Sequence, residues 1–113
     1  MSRQRAEREG RKGEWQAAAW LRLQGWSVLG QRVNTPRGDI DLIVRRGGVV
    51  AFFEVKWRQH AADLDHAIDA YRLRRVAECV AHDYAAQGEE VRIDVILLAP
   101  GAFPRHIVNA WQP

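Results

Sequence analysis

The chain has few of the features that would cross-link it or place it in a membrane. Cys79 is the only cysteine among 113 residues, which excludes an internal disulfide and any metal site built from several cysteines. No apolar run approaches the roughly 20 residues that span a bilayer. Residues 1–12 carry positive charges with no apolar segment behind them, unlike a secretory signal. We therefore expect one domain in a reducing, cytoplasmic setting, without a membrane partner.

Lysine is scarce, and the positive charge is unevenly distributed. Fifteen of the 17 basic residues are arginine, and the formal net charge is +3. The whole excess lies in residues 1–12, whose charged residues are Arg3, Arg5, Arg8, Arg11 and Lys12 against Glu7 and Glu9. We predict that residues 1–11 are a basic N-terminal arm before a domain of residues 12–113, and that Arg11 and Lys12 contact phosphates. The arginine content is explained equally well by the base composition of a genome.

Hydrophobic periodicity predicts the element order αβββαβ. The expected elements are a helix over 12–24, strands over 26–33, 38–46 and 49–57, a long helix over 65–86, a strand over 91–98 and a short last strand over 105–111. The first helix is expected to pack through Trp15, Ala18, Ala19 and Leu23, and to be buried on more than one side. The order predicts a single α/β domain in which helices flank a mixed central sheet.

The second and third strands are joined by Gly47-Gly48, a strong signal for a two-residue hairpin turn. If Arg46 pairs with Val49, Asp41 falls opposite Glu54, and Asp39 falls opposite Lys56 on the same face. Opposed carboxylates repel each other unless one is protonated or a cation lies between them. Mg²⁺ suits such a pair of oxygen ligands. The alternative is a solvent-facing end of the hairpin where Lys56 pairs with Asp39.

Glu14 is a charged residue on a mostly apolar helix, where it shares a face with Ala18 and Leu21. It is a candidate third acid that converges on the sheet with Asp41 and Glu54. The alternative is a first-turn glutamate that the helix dipole favours.

The second long helix carries a basic cluster that is suited to phosphate contacts without sequence readout, formed by Arg72, Arg74 and Arg75. A solvated helix face is the alternative. The four histidines share no spacing, and we expect them to be incidental: His60, His66, His82 and His106. Aromatic candidates for base stacking, or for core or interface packing, are Trp20, Trp57 and Trp111.

Five short motifs together carry a resemblance to a known family. They are Gly13-Glu14, Gly25-Trp26, the run 38–43 (GDIDLI), the run 53–58 (FEVKWR) and the run 92–96 (RIDVI). In this order and spacing they resemble the bacterial YraN family, which is placed in the PD-(D/E)XK nuclease superfamily. The resemblance covers most of the chain and implies a restriction-endonuclease-like fold. Within the superfamily, a helix-1 glutamate followed by Asp and Glu-x-Lys is similar to archaeal Holliday-junction resolvases.

The resemblance implies a role for each matching residue. Asp41 and Glu54 match metal ligands, and Lys56 matches the lysine that orients or activates the attacking water. Glu14 matches the helix-1 acid of the resolvase-like branch. Asp39 is an auxiliary residue where the family usually has Glu, and Arg72 stands where the family often has Lys. Asp94 matches a family-typical residue, and we expect it to be a structural partner of Arg92.

The resemblance also implies an activity, a cofactor and a partner. The activity is hydrolysis of DNA phosphodiester bonds with Mg²⁺ or Mn²⁺, with branched DNA as a candidate substrate. Cutting a four-way junction on two strands implies a homodimer, and we expect Trp57 to lie nearest the interface between the two copies. The alternatives are a nucleic-acid-binding module without catalysis and an interaction subunit that works within a larger complex.

Overall fold

A computed structural model describes residues 3–58 and 70–110, with side chains described over 13–58 and 72–110. It confirms the α/β class and the order of the main elements. The elements are α1 (Arg3–Leu23), β1 (Ser27–Thr35), β2 (Gly38–Arg46), β3 (Val49–Trp57), α2 (Ala70–Glu78), α3 (Ala81–Tyr84), β4 (Glu90–Leu98) and β5 (Arg105–Ile107).

The strands form one mixed sheet in the order β1-β2-β3-β4-β5. β1, β2 and β3 are antiparallel neighbours, β3 and β4 are parallel, and β5 returns antiparallel to β4. Gly47 and Gly48 both have positive φ, at 53° and 81°, as a type I′ turn requires. The predicted hairpin register is confirmed from Arg46–Val49 to Leu42–Phe53.

Helices cover both faces of the sheet, so that the strands lie between two hydrophobic layers. α1 packs on one face, where Ala17, Ala18 and Leu21 meet Leu42 and Phe53. The second helical region covers the opposite face. It packs against Ile43, Phe52 and Ile93 through Leu73, Val76, Ala77, Val80 and Tyr84.

The first helix differs from its prediction at its start and in its inward face. α1 begins at Arg3 rather than Lys12, so the helix runs through the residues predicted as an arm. Trp15 and Leu23 are 71% and 86% exposed, so burial on more than one side is wrong. The predicted packing through Ala18 is confirmed, and Ala17 joins it against the sheet in place of Trp15 and Leu23, since short side chains let a helix approach closely.

The second helical region is two helices rather than one. α2 ends at Glu78 and α3 begins at Ala81. The amides of Cys79 and Val80 donate to the carbonyls of Val76 and Ala77, three residues back, and this tighter turn ends α2. The predicted helix start at 65, together with His60, His66 and Trp111, lies outside the described residues. Among the described helices, none has the length and apolarity needed to cross a bilayer.

Candidate functional site

Asp41 lies where the pairing between β2 and β3 stops. Among the described pairs, the ladder ends at Leu42–Phe53, one residue short of the predicted Asp41–Glu54 pair. Instead, the Val55 amide donates to Asp41 Oδ2 at 2.7 Å. A short acidic side chain competes in this way with the strand partner for a backbone donor.

Side-chain alternation along β2 also breaks at Asp41. Ile40 and Ile43 pack in the layer under α2, while Leu42 packs in the layer under α1. In the neighbouring strand, the pairs Gln31–Leu42 and Val33–Ile40 place Arg32 opposite Asp41. Arg32 has a φ of +50°, which an arginine rarely adopts. The irregularity in both strands leaves Asp41 at a junction between the two layers.

The carboxyl group of Asp41 is electrostatically perturbed. Burial raises the pKa of Asp41 from 3.8 to about 6; the hydrogen bond from Val55 opposes this rise, and the charges of Glu14 and Glu54 add to it. The ammonium of Lys56 has a smaller opposing effect on the same pKa. The charges of Glu14 on α1 and Glu54 on β3 therefore both act on Asp41 of β2.

Glu54 is buried, with 7% of its surface exposed. Its Oε1 lies 2.9 Å from Lys56 Nζ and 3.5 Å from Arg72 Nη2. Its Oε2 is buried without a hydrogen-bond partner in the described part of the chain. Lys56 thus lies against Glu54 rather than pairing with Asp39, which is exposed at the start of β2.

Glu14 lies well inside α1, and its Oε2 accepts a hydrogen bond from Arg32 Nε at 2.7 Å. The first-turn interpretation is therefore wrong, because the helix begins at Arg3. The predicted shared face is confirmed, since Glu14, Ala18 and Leu21 are all buried.

These residues fit a hard divalent cation by the chemistry of their donors. Carboxylate oxygens are the ligands that Mg²⁺ and Mn²⁺ prefer. The partnerless Oε2 of Glu54 and the raised pKa of Asp41 both mark negative charge that the fold leaves poorly compensated. Within 13–58 and 72–110, however, no three acidic, histidine or cysteine side chains are gathered as a metal-binding group. The charges of Glu14 and Glu54 both act on Asp41, and Glu14 is held by Arg32.

Of the residues predicted to contact phosphates, the structure brings Arg72 to the site. Its guanidinium lies beside Glu54. Arg74 pairs with Glu78 along α2 at 3.1 Å, and Arg75 is exposed. The side chains of Arg11 and Lys12 lie outside those described.

A second polar cluster lies under β5, and sequence reasoning found only part of it. Asp94 is fully buried and accepts hydrogen bonds from Arg92, from the Asn109 amide and, at 2.7 Å, from His106 Nε2. Burial alone would raise its pKa, but the bonds from His106, Arg92 and Asn109 hold the pKa of Asp94 below its usual value. The expected Arg92–Asp94 pairing is confirmed, whereas treating His106 as incidental is wrong. No local spacing connects His106 with Asp94.

Comparison with known proteins matches the part of the chain that contains the candidate site to one family. The model of the "Uncharacterised protein family UPF0102" matches residues 13–98, a range that contains Glu14, Asp41, Glu54 and Lys56. A UPF0102 protein of Erythrobacter litoralis is 69% identical over the full length of both chains, and one of Sphingopyxis alaskensis is 57% identical over the full length of both. A UPF0102 protein of Caulobacter vibrioides is 42% identical over 94% of this chain and 88% of its own.

Proposed function

The chain belongs to the uncharacterised protein family UPF0102, and from its site we propose that it is a metal-dependent nuclease that hydrolyses phosphodiester bonds of DNA. The observation that carries the proposal is the group formed by buried Glu54 with half-buried Asp41 and Lys56, at the point where β2 and β3 stop pairing. Burying two carboxylates near each other is costly. A role in binding a cation explains that cost.

Each residue has a distinct part in the proposed reaction. Asp41 and Glu54 would hold Mg²⁺ or Mn²⁺, which supplies a Lewis acid for the scissile phosphate and lowers the pKa of a bound water. Lys56 Nζ, 2.9 Å from Glu54 Oε1, would donate hydrogen bonds to a water or to a phosphate oxygen as the charge on that oxygen increases. Arg72, beside the same carboxylate, would bind a neighbouring phosphate.

The substrate follows from charge and from the resemblance to resolvases. The arginine-rich start of α1 favours a polyanion bound through its phosphates. Branched DNA is the candidate that the resolvase-like residues favour. One observation favours a second function, a binding module without catalysis: Arg32, Lys56 and Arg72 already pair with the site's carboxylates.

The test is cleavage of matched linear, nicked and four-way-junction DNA, with RNA of the same sequence, in Mg²⁺, in Mn²⁺ and in EDTA. The proposal predicts cleavage in either metal and none in EDTA. Glu54→Gln should abolish cleavage. Glu78→Gln, which changes an exposed glutamate paired with Arg74 on α2, should not. Binding without cleavage of any substrate would establish the binding module instead.

A further inference from the structure

Arg32 combines an unfavourable backbone with a contact to the candidate site. Its φ of +50° lies in the left-handed region, where a non-glycine residue is strained and where such strain often accompanies function. It lies opposite Asp41 between two regular pairs of the β1–β2 ladder. In this conformation, Arg32 Nε donates a hydrogen bond to Glu14 Oε2 at 2.7 Å.

The pair bridges the protein interior and solvent. The Glu14 side chain is 12% exposed, whereas that of Arg32 is 47% exposed. Glu14 is therefore the buried partner, and Arg32 is the partner that an incoming polyanion can reach. A guanidinium binds phosphate in the same forked geometry as carboxylate, so a phosphate can compete with Glu14 for it.

Such an exchange would disturb the balance of charge in the site. Three carboxylates, Glu14, Asp41 and Glu54, are matched by three cations, Arg32, Lys56 and Arg72. If Arg32 turns to a phosphate, Glu14 loses its counter-charge while it still acts on Asp41. A divalent cation can restore the balance, with Glu14 as an additional oxygen donor beside Asp41 and Glu54.

We propose that Arg32 is a phosphate-binding positioning residue that links substrate binding to metal binding. Without substrate it holds Glu14, and with a DNA phosphate on its guanidinium it releases Glu14 to the metal site. The inference rests on the proposed function and adds an order of binding to it. The complete set of metal ligands forms only after DNA has bound. By thermodynamic linkage, DNA and metal must then strengthen each other's binding equally.

The test is Mn²⁺ titration calorimetry with and without a DNA duplex, after subtraction of the Mn²⁺ that the duplex alone binds. Arg32→Asn removes the charge with a residue that tolerates positive φ, so it should fold. Arg37→Gln is the matched control, an exposed arginine in the turn after β1. A duplex with uncharged methylphosphonate linkages serves as the ligand control. All titrated proteins also carry Lys56→Met, which is expected to bind DNA without cleaving it, and gel electrophoresis after each titration verifies that the duplex is intact.

We expect the duplex to tighten Mn²⁺ binding about tenfold in the wild type and in Arg37→Gln, and the methylphosphonate duplex to have no such effect. Arg32→Asn should bind Mn²⁺ without DNA as tightly as the wild type does with DNA, and the duplex should add nothing. If Arg32→Asn and the wild type bind Mn²⁺ with equal affinity in the absence of DNA, the proposed role of Arg32 is wrong. That result would leave the proposed metal site unaffected. Absence of Mn²⁺ binding by the wild type, or undiminished binding by Glu54→Gln, would contradict the metal site itself.

Discussion

At the scale of single residues, the carboxylates of the candidate site differ in how well the fold compensates their negative charge. Glu14 and Glu54 each have a cation within 3 Å, at 2.7 and 2.9 Å. Asp41 instead accepts a hydrogen bond from a backbone amide, and its pKa rises to about 6. At neutral pH the ionised Asp41 therefore opposes folding, as expected of a group kept for binding rather than for stability.

Replacing Asp41 with asparagine should stabilise the protein at neutral pH in the absence of metal. Asparagine keeps an acceptor for the Val55 amide and removes the charge. Because the native pKa of about 6 exceeds the ordinary 3.8, the wild type loses stability as pH rises from about 4 to about 6. The advantage of Asp41→Asn should thus be absent at pH 3 and reach at most about 3 kcal/mol at pH 7. Urea unfolding at both pH values measures it, and an advantage that does not grow with pH would contradict the perturbed carboxyl.

Lys56 should matter for cleavage more than for folding. Lys56→Met keeps the apolar stem and deletes the ammonium, and Arg72 still lies beside Glu54. We expect unchanged DNA affinity, a free energy of unfolding within about 1 kcal/mol of the wild type, and loss of cleavage. Gel-shift and cleavage assays on one DNA preparation separate the effects. Normal cleavage by Lys56→Met would leave Lys56 only its ion pair with Glu54.

The identities of the acidic site residues could be predicted from sequence, but their pairing could not. Asp41 and Glu54 follow from hairpin register, because strand geometry converts spacing into proximity. The Asp41 side chain accepts a hydrogen bond from the Val55 amide. The strand register does not predict this bond, because it depends on a side chain replacing a backbone acceptor. Arg32 could not be found from sequence, because no feature of composition or spacing signals its positive φ.

At the scale of elements, local signals predicted the β2–β3 hairpin well and the helices less well. The two glycines Gly47 and Gly48 are sufficient to determine the turn between β2 and β3, because both adopt positive φ. The inward face of α1 depends on the sheet beneath it, which the sequence of the helix does not reveal, and helical periodicity therefore predicts an inward Trp15 although this residue is exposed. β5 is only three residues long, and it is tied to β4 by a contact between residues distant in sequence, His106 and Asp94.

The polar cluster under β5 should be a major source of stability. Asp94→Asn removes a buried charge and leaves the mostly buried Arg92 guanidinium without its counter-ion, a change that costs about 3 kcal/mol. Because the pKa of Asp94 is lowered in the fold, this stabilisation is present above pH 4 and is lost as pH falls through the native pKa. Urea unfolding at pH 7 measures the cost. Asp83→Asn, at an exposed aspartate, is the control, and equal losses in both variants would contradict the cluster's role.

The basic start of α1 should contribute affinity for DNA without sequence preference. Because the helix extends to Arg3, substitution is a cleaner test than deletion, and glutamine preserves helix propensity. The substituted residues are Arg3, Arg5, Arg8 and Arg11. The slope of log affinity against log salt should flatten by about one unit for each arginine that binds a phosphate in the wild type. An unchanged slope would show that this segment does not bind phosphates.

At the scale of the whole molecule, the proposed function asks one small domain for both recognition and chemistry. The site lies at a junction between two hydrophobic layers, and the excess positive charge lies in residues 1–12. A single site of this kind contacts one phosphodiester bond at a time. Paired cuts on a four-way junction therefore require two copies of the chain, related by twofold symmetry.

We predict that the protein acts as a homodimer that presents two Asp41–Glu54 sites to matching strands. Trp57, which the sequence placed nearest the contact, is half-buried and packs against the layer under α1, so part of its surface is already used within the fold. A specific interface should bury about 1,000 Å² or more. Light scattering at micromolar concentration, with and without a four-way junction, measures the assembly directly. A mass near 12.9 kDa without DNA, and a single copy per junction, would contradict the dimer and the paired cut. The remaining activities would then be nicking of one strand or binding alone, and the cleavage assay with Glu54→Gln distinguishes these two.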